Sequence, residues 1–303
     1  HNFGHVAVSG LCRYRSGGLG DEFAGNIFQT FFNMSKVQRV AVTPNGRGGY
    51  QAQVKDFLQA DSPDVHFTDV LEDADGSLLL IDTGGWFRIG CPTSQIAKPD
   101  IRGAIYRVRK KIPVAAKDPR GLQIDWPRLG AEQLARLLGD NRFAVRDRAR
   151  EQIVATADDR TAQHLAPLLK AANGHARLNA VWILSRIKHP LAISLLWEAL
   201  ASDSAAVRQA ACNALGELKN RGAGGRLAGL LKDPVPAVQR EAAVALGRIG
   251  DPAAGLFLVD MLSRSLSREL EHAAIYALIQ LNDTDVLRWA LRQKNHPARI
   301  AGL

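Results

Sequence analysis

The chain has 303 residues, 46% hydrophobic and 23% charged, which is ordinary for a globular protein with room for two domains. Apolar runs such as Leu78–Ile81 are far shorter than the roughly 20 residues that span a bilayer, so the sequence predicts no transmembrane segment. The net charge of +9 is unevenly shared, with 13 Lys/Arg against 11 Asp/Glu in residues 1–111 and 26 against 19 in residues 112–303.

The first residues show no basic region followed by an apolar stretch, so no signal peptide is visible. Because the chain begins with His1 rather than Met, we expect it to be a piece of a longer protein. Cys12, Cys91 and Cys212 lie far apart and form no Cys-x-x-Cys, haem-attachment or zinc spacing. We predict that the cysteines are small buried hydrophobes and that the chain has no metal site.

Residues 1–111 are rich in Gly and contain short runs in which apolar and polar residues alternate. Turn signals at Pro44-Asn45-Gly46 and at Asp73–Gly76 separate some of these runs. Seven short strands at regular spacing are typical of an antiparallel sandwich or of propeller blades. The predicted strands are Gly10–Arg15, Asn26–Asn33, Val37–Thr43, Tyr50–Leu58, Thr68–Glu72, Leu78–Asp82 and Gly103–Arg109.

Residues 112–129 contain Pro113, Pro119 and Pro127, which predict a semi-stiff linker between two domains. The following residues, 130–303, contain an internal repeat, with anchor dipeptides spaced by 31, 31, 31, 32 and 28 residues. The anchors are Val145-Arg146, Ala176-Arg177, Val207-Arg208, Val238-Gln239, Leu270-Glu271 and Ala298-Arg299.

Each anchor opens a predicted helix with one apolar stripe at a period of 3.6 residues. The stripe after Val207 continues through residues 211, 214, 215 and 218, and the next unit repeats it from Val238. A shorter apolar helix precedes each anchor, which gives a series of helix pairs. Ala211, Ala242 and Ala274 share one phase of the stripe, so we predict that they are buried between helices.

The anchors Arg146, Arg177, Arg208 and Arg299 could form a ladder that binds a ligand. The interpretation we favour is structural, in which these arginines pair with carboxylates at the turns and cover apolar surface with their stems.

The Asp at the turn, followed by Val-Arg, Ala-Ala and Leu-Gly, resembles the HEAT family, particularly its short bacterial version. The resemblance covers residues from about 135 to 303 and implies an α-solenoid. The sixth unit stops at Leu303, midway through its second helix, so we expect a solenoid truncated at its C-terminal end.

The segments Phe23–Val40 and Thr68–Val108 look like two blades from the end of the six-bladed propeller of soluble sugar dehydrogenases of the glucose/sorbosone type. A narrower resemblance is to a family of large planctomycete and verrucomicrobial proteins described as membrane-bound dehydrogenases. In that family an exported propeller is followed by HEAT repeats and a c-type haem domain. The segments that carry this resemblance are Phe67–Ser77, Asp82–Trp86, Cys91–Gln95 and Gly103–Arg107.

The resemblance implies a multidomain all-β plus all-α chain, with a partial β-propeller of about two blades before the solenoid. It implies a periplasmic or exported parent that oxidises a sugar or alcohol and passes electrons to a quinone or a cytochrome c-type domain. The HEAT array would then be an interaction or spacer module, any haem would lie outside this chain, and residues 1–303 would be inactive alone.

The related sugar dehydrogenases that bind pyrroloquinoline quinone place two arginines just before Asp-Val on the first strand of this blade. His66 and Thr68 occupy those positions, and because the carboxylates of the quinone bind guanidinium groups, the sequence disfavours this cofactor.

His66 and Asp69 are the catalytic candidates, a base beside a carboxylate on a strand that would line the propeller axis. Alternation points them to opposite faces of a straight strand, so only a bend or bulge would bring both to one site. The alternative is that His66 ends a loop and Asp69 accepts turn hydrogen bonds.

Two other functions are open. The chain could be a non-catalytic protein-interaction scaffold, for which the label of dehydrogenase would rest on analogy alone. A less favoured alternative is a basic HEAT array that binds nucleic acid.

Overall fold

The computed structural model describes residues 6–85, 98, 100–112, 117–158, 160–187 and 189–292. The chain divides into two compact units, one of β-strands and one of α-helices. The first comprises His1–Thr43, Gln51–Asp125 and Asn141–Val145; the second comprises Pro44–Tyr50, Trp126–Asp140 and Arg146–Leu303. The predicted domain boundaries at residues 111 and 129 stay predictions.

The β unit contains two small antiparallel sheets whose strands follow one another in chain order. The seven predicted strands are confirmed, with ends within two residues of the predicted ones. The first sheet consists of β1 (Val8–Arg13), β2 (Ile27–Phe31), β3 (Lys36–Pro44) and β4 (Tyr50–Gln59). The second consists of β5 (Phe67–Glu72), β6 (Leu78–Asp82) and β7 (Ala104–Val108).

The core of the β unit contains residues from both sheets, among them Phe28, Val70 and Leu80. The first strands of the two sheets come into close contact, because the Ser9 hydroxyl donates to the Phe67 carbonyl at 2.8 Å. A Cβ on Gly10 would lie 2.5 Å from the Asp69 Cα, so only glycine permits this approach.

The helical unit is a series of helix pairs. The first helices of the pairs are α1 (Ala131–Leu137), α3 (Thr161–Leu165), α5 (Pro190–Ala199), α7 (Gly224–Leu230) and α9 (Gly255–Leu262). The second helices are α2 (Phe143–Ala155), α4 (Gly174–Leu184), α6 (Ala205–Glu217), α8 (Pro236–Ile249) and α10 (Arg268–Leu281). A sixth pair begins with α11 (Thr284–Leu291); its predicted anchor at residues 298 and 299 lies outside the described residues.

The predicted phase of the apolar stripe is confirmed, because Ala211, Ala242 and Ala274 are all fully buried. Neighbouring second helices approach so closely that a Cβ on Gly216 would lie 2.9 Å from the Ala245 Cα. Small residues along the stripe therefore set the distance between repeats.

Leu218 differs from its predicted place in the stripe, since it is 38% exposed while the equivalent Ile249 is 4% exposed. The backbone does not explain the difference, because Leu218 keeps right-handed helical angles and its N–H bonds to the Ala214 carbonyl. The next residues, Lys219 and Gly250, take a left-handed backbone in both repeats.

The predicted pairing of the repeated arginines with turn carboxylates is confirmed for Arg177 and Arg208, while Arg146 bonds to a turn carbonyl. Arg208 donates from Nε and Nη2 to the two oxygens of Asp233 at 2.7 and 2.9 Å, and Arg177 donates to Asp203 of the next repeat. Arg146 donates to the Asp140 carbonyl. The hydrogen bond from Arg177 holds the pKa of Asp203 below its ordinary value. Arg299 lies outside the described residues.

In the predicted linker, Pro113 lies outside the described residues, while Pro127 is within a 3₁₀ turn that begins at the buried Trp126. The guanidinium of Arg148 stacks 4.4 Å from the centroid of the Trp126 ring. None of the described helices is long and apolar enough to cross a membrane.

Candidate functional site

The second helices of the repeats present side chains that are not used to pack the array. The positions six residues after each anchor lie outside the buried stripe, and none of them is buried. We call the surface that they form the B-helix face. These positions are Glu151, Trp182, Asn213, Val244 and Tyr276.

Trp182, on α4, lines two neighbouring open grooves on this face. One groove, of about 520 Å³, lies between α2 and α4; the other, of about 390 Å³, lies between α4 and α6. We call the two together the Trp182 groove. Its lining residues are Arg150, Glu151, Val154, Ala155, Trp182, Ile183, Ser185, Arg186, Asn213, Ala214, Glu217 and Leu218.

The apolar part of the groove is formed by three side chains from three successive repeats. Val154 is 43% exposed, Trp182 42% and Leu218 38%. A cluster of large apolar side chains that no described element covers is typical of an interaction surface.

The polar part contains groups with unused bonding capacity. Among the described residues, neither the indole N–H of Trp182 nor the guanidinium of Arg186 has a hydrogen-bond partner, and the same holds for the carboxylate of Glu151. The other charges are paired within the protein. Arg248 pairs with Glu217 at 2.9 Å, and Arg150 lies 3.2 Å from Asp147.

The loops that follow α2, α4 and α6 carry cations, of which Arg186 lines this groove. We call Arg160, Arg186, Lys219 and Arg221 the basic loop edge. Cations close to the C-terminal ends of helices are stabilised by the helix dipole. Within the described part of the chain, these four side chains have no ion-pair partner, so their charges face solvent.

The predicted catalytic residues lie at the start of β5. The His66 ring Nδ1 lies 3.0 Å from the Asp64 carbonyl, and its centroid is 4.9 Å from that of Phe32. Asp69 is exposed, and its Oδ1 accepts from the Val70 N–H at 2.8 Å. The β5–β6 ladder shifts register between Phe67 and Asp69, so the strand has an irregularity there. A catalytic role for His66 and Asp69 stays a prediction.

The residues at this strand do not fit pyrroloquinoline quinone. Thr68 donates its hydroxyl to the Ile81 carbonyl at 3.2 Å, and His66 is held by a loop carbonyl, so neither position presents a guanidinium to a carboxylate. Among the described residues, no group of three or more His, Cys, Asp or Glu side chains could hold a metal ion.

The prediction of buried cysteines is confirmed for Cys212, which is fully buried. Burial raises the pKa of its thiol to about 12, so the thiol stays protonated at neutral pH. Cys12 is half-buried, and Cys91 lies outside the described residues together with the segment Cys91–Gln95.

The repeated helix pairs define the class of the second unit as an α-solenoid. Residues 131–211 and 198–279 match the family model described as HEAT repeats, so these residues of the helical unit are HEAT repeats. No curated protein matches the chain.

Three solved structures illustrate what the chain is similar to. The complex of CpcE and CpcF of phycocyanin lyase from Nostoc sp. PCC7120 is 20% identical over 59% of this chain and 76% of that one, with a TM-score of 0.42. Human deoxyhypusine hydroxylase in complex with glycerol is 23% identical over 50% and 62%, with a TM-score of 0.38. A designed armadillo repeat protein is 18% identical over 57% and 97%, with a TM-score of 0.36.

Neither the family match nor these structures points to a dehydrogenase or to the planctomycete and verrucomicrobial family.

The Trp182 groove was not predicted from the sequence. The signal was present, because Trp182 is a large aromatic residue placed outside the apolar stripe of its own helix. An aromatic side chain at such a position is left partly exposed, as Trp182 is, with 42% of its surface open.

Proposed function

We propose that the helical unit is a non-catalytic protein-interaction scaffold and that the Trp182 groove is its docking surface. The observation that carries the proposal is the exposed Trp182 side chain, which lies between two grooves and whose indole N–H has no hydrogen-bond partner among the described residues. HEAT arrays commonly mediate protein interactions, since stacked repeats form extended surfaces. Trp is also the residue type most enriched among those that dominate binding energy at interfaces.

The form of the groove favours a chain segment over a small molecule. It is open, runs across three successive second helices, and carries apolar side chains at both ends and the centre. A segment bound there would cover Val154, Trp182 and Leu218 together. Burial of their exposed parts provides the driving force for binding.

We expect Trp182→Ser to weaken binding of a peptide ligand by at least about tenfold, because loss of a central aromatic contact costs about 2 kcal/mol or more. The ligand is obtained by selecting a displayed library of random 12-residue peptides on the wild-type chain. Binding of the selected peptides is then measured by fluorescence anisotropy.

The matched control is Phe257→Ser, which removes an aromatic side chain that is 52% exposed on the first helix α9. This variant should bind the selected peptides as the wild type does. If selection yields no peptide whose binding depends on Trp182, the proposed docking surface is wrong.

A dehydrogenase-type propeller is the second candidate for the β unit. It is supported by two sheets in simple chain order with their first strands in contact. The second sheet also exposes apolar side chains on the face away from the core, with Leu71 39% and Ile105 69% exposed. Further sheets stacked on this face would bury them, as in a longer propeller with an exported location.

This second proposal assigns His66 and Asp69 to the catalytic site. In the complete protein, His66→Ala should abolish oxidation of sugars or alcohols, measured with an artificial electron acceptor, and leave the circular dichroism spectrum unchanged. The base is lost while the β5 backbone, held by the His66 N–H bond to Asp82, is retained. Full turnover by this variant would exclude the assignment.

A further inference from the structure

The charges around the Trp182 groove indicate what kind of partner it takes. We infer that the groove binds an acidic protein segment, with an apolar side chain against Trp182 and carboxylates against the basic loop edge. The inference rests on the scaffold function proposed above and adds the chemistry of the ligand.

The basic loop edge supplies the charge that such a segment would complement. Arg186 lines both parts of the groove, and Lys219 and Arg221 follow in the next loop, directly after the lining residue Leu218. The acidic residue closest to Lys219 in the sequence is Glu217, at the end of α6, and its carboxylate is already paired with Arg248. The unpaired charges of these two loops are therefore positive, and carboxylates would be attracted to them.

The spacing of the repeats sets the spacing of the carboxylates. Packed helices lie about 8–10 Å apart, and an extended chain rises about 3.3 Å per residue. A segment that crosses neighbouring second helices would therefore meet a new loop about every third residue. The expected pattern is an acidic residue at every third position, with apolar residues between.

A nucleic acid has the right sign of charge but fits the groove less well. Glu151 lines it without an ion-pair partner among the described residues, so a continuous phosphate backbone would meet negative charge beside Trp182. A peptide can instead place an uncharged residue opposite this carboxylate. The groove chemistry thus favours a peptide.

The test uses three fluorescein-labelled 12-residue probes with Phe and Leu at the same positions. One carries Asp or Glu at every third residue, the second carries Asn or Gln there, and the third carries Lys. Binding to the wild-type chain is measured by fluorescence anisotropy at low and physiological ionic strength. We expect the acidic probe to bind at least about tenfold more tightly than the amide probe, with affinity falling as salt is added.

Charge removal at the basic loop edge identifies where the probe binds. The triple variant Arg186→Gln, Lys219→Gln, Arg221→Gln should lose at least about tenfold in affinity for the acidic probe and little for the amide probe. The matched control is Lys232→Gln, which removes a 72% exposed lysine from the loop at the other end of the second helices. The control should bind the acidic probe normally.

Charge reversal guards against a merely misfolded variant. The triple variant Arg186→Glu, Lys219→Glu, Arg221→Glu should bind the Lys probe more tightly than the acidic one. Equal binding of acidic and amide probes, or of the triple variant and the wild type, would overturn the inference. If binding in that case still depends on Trp182, the scaffold proposal survives; if it does not, the scaffold proposal and the acidic-ligand inference both fail.

Submicromolar binding of a DNA or RNA 12-mer at physiological ionic strength, in competition with the acidic probe, would show that the ligand is a nucleic acid and not a peptide.

Discussion

Replacing Asp233 by Ala should lower the free energy of unfolding by about 3–5 kcal/mol, the usual cost of removing one partner from a buried ion pair. The Asp233 side chain is 3% exposed and that of Arg208 is 12% exposed. Asp233 also accepts from the Val235 N–H at 2.8 Å, which fixes the turn before α8. The variant would leave the Arg208 guanidinium buried without its carboxylate. Urea unfolding followed by circular dichroism measures the loss.

The chain contains its own control for this experiment. Asp203 occupies the equivalent turn of the preceding repeat and bonds to Arg177, but its side chain is 83% exposed. Because water replaces a lost exposed partner, Asp203→Ala should cost far less than Asp233→Ala. Equal losses for the two variants would show that burial of the ion pair is not what makes Asp233 important.

Ala242→Arg should cost several kcal/mol, because it both overpacks the interior and buries a charge. Ala242 is fully buried on α8, the helix that packs against α6 on one side and α10 on the other. The long side chain has no space between these helices. Thermal unfolding of the variant, recorded by circular dichroism at 222 nm, should show a lower midpoint or no cooperative transition.

Ala206→Arg is the matched substitution, since Ala206 is exposed in the first turn of α6. It introduces the same side chain into a helix of the same kind without burying it, so the melting temperature should stay close to that of the wild type. An unchanged midpoint for the Ala242 variant would mean that the phase of the helical stripe is wrong.

The sequence predicted the helical unit well because its signals are local and repeated. The spacing of the anchors located the second helices, and the stripe placed Ala211, Ala242 and Ala274 in the core. The seven strands were also predicted, since alternation and turn residues are short-range patterns. The exception is Leu218, which the stripe places in the core but whose side chain is 38% exposed.

The candidate site was harder to predict, because it depends on contacts between repeats. No pattern within α4 shows that Trp182 faces two grooves; these exist only when α2 and α6 are placed beside it. The unpaired state of Arg186 is likewise a property of the assembled surface, since Arg177 and Arg208 in neighbouring segments are paired. Strand alternation could not reveal the register shift beside Asp69 either.

The ion pairs between repeats also affect how the array can change in length. The bonds from Arg177 to Asp203 and from Arg208 to Asp233 span 26 and 25 residues, and each joins the second helix of one repeat to the turn of the next. Duplication of a repeat that contains both Asp203 and Arg208 would therefore give the added arginine an aspartate in the following turn. An insertion of a few residues inside a second helix would shift all of these partners at once. Such an array can gain or lose surface in steps of one helix pair, and each step adds or removes one segment of the B-helix face.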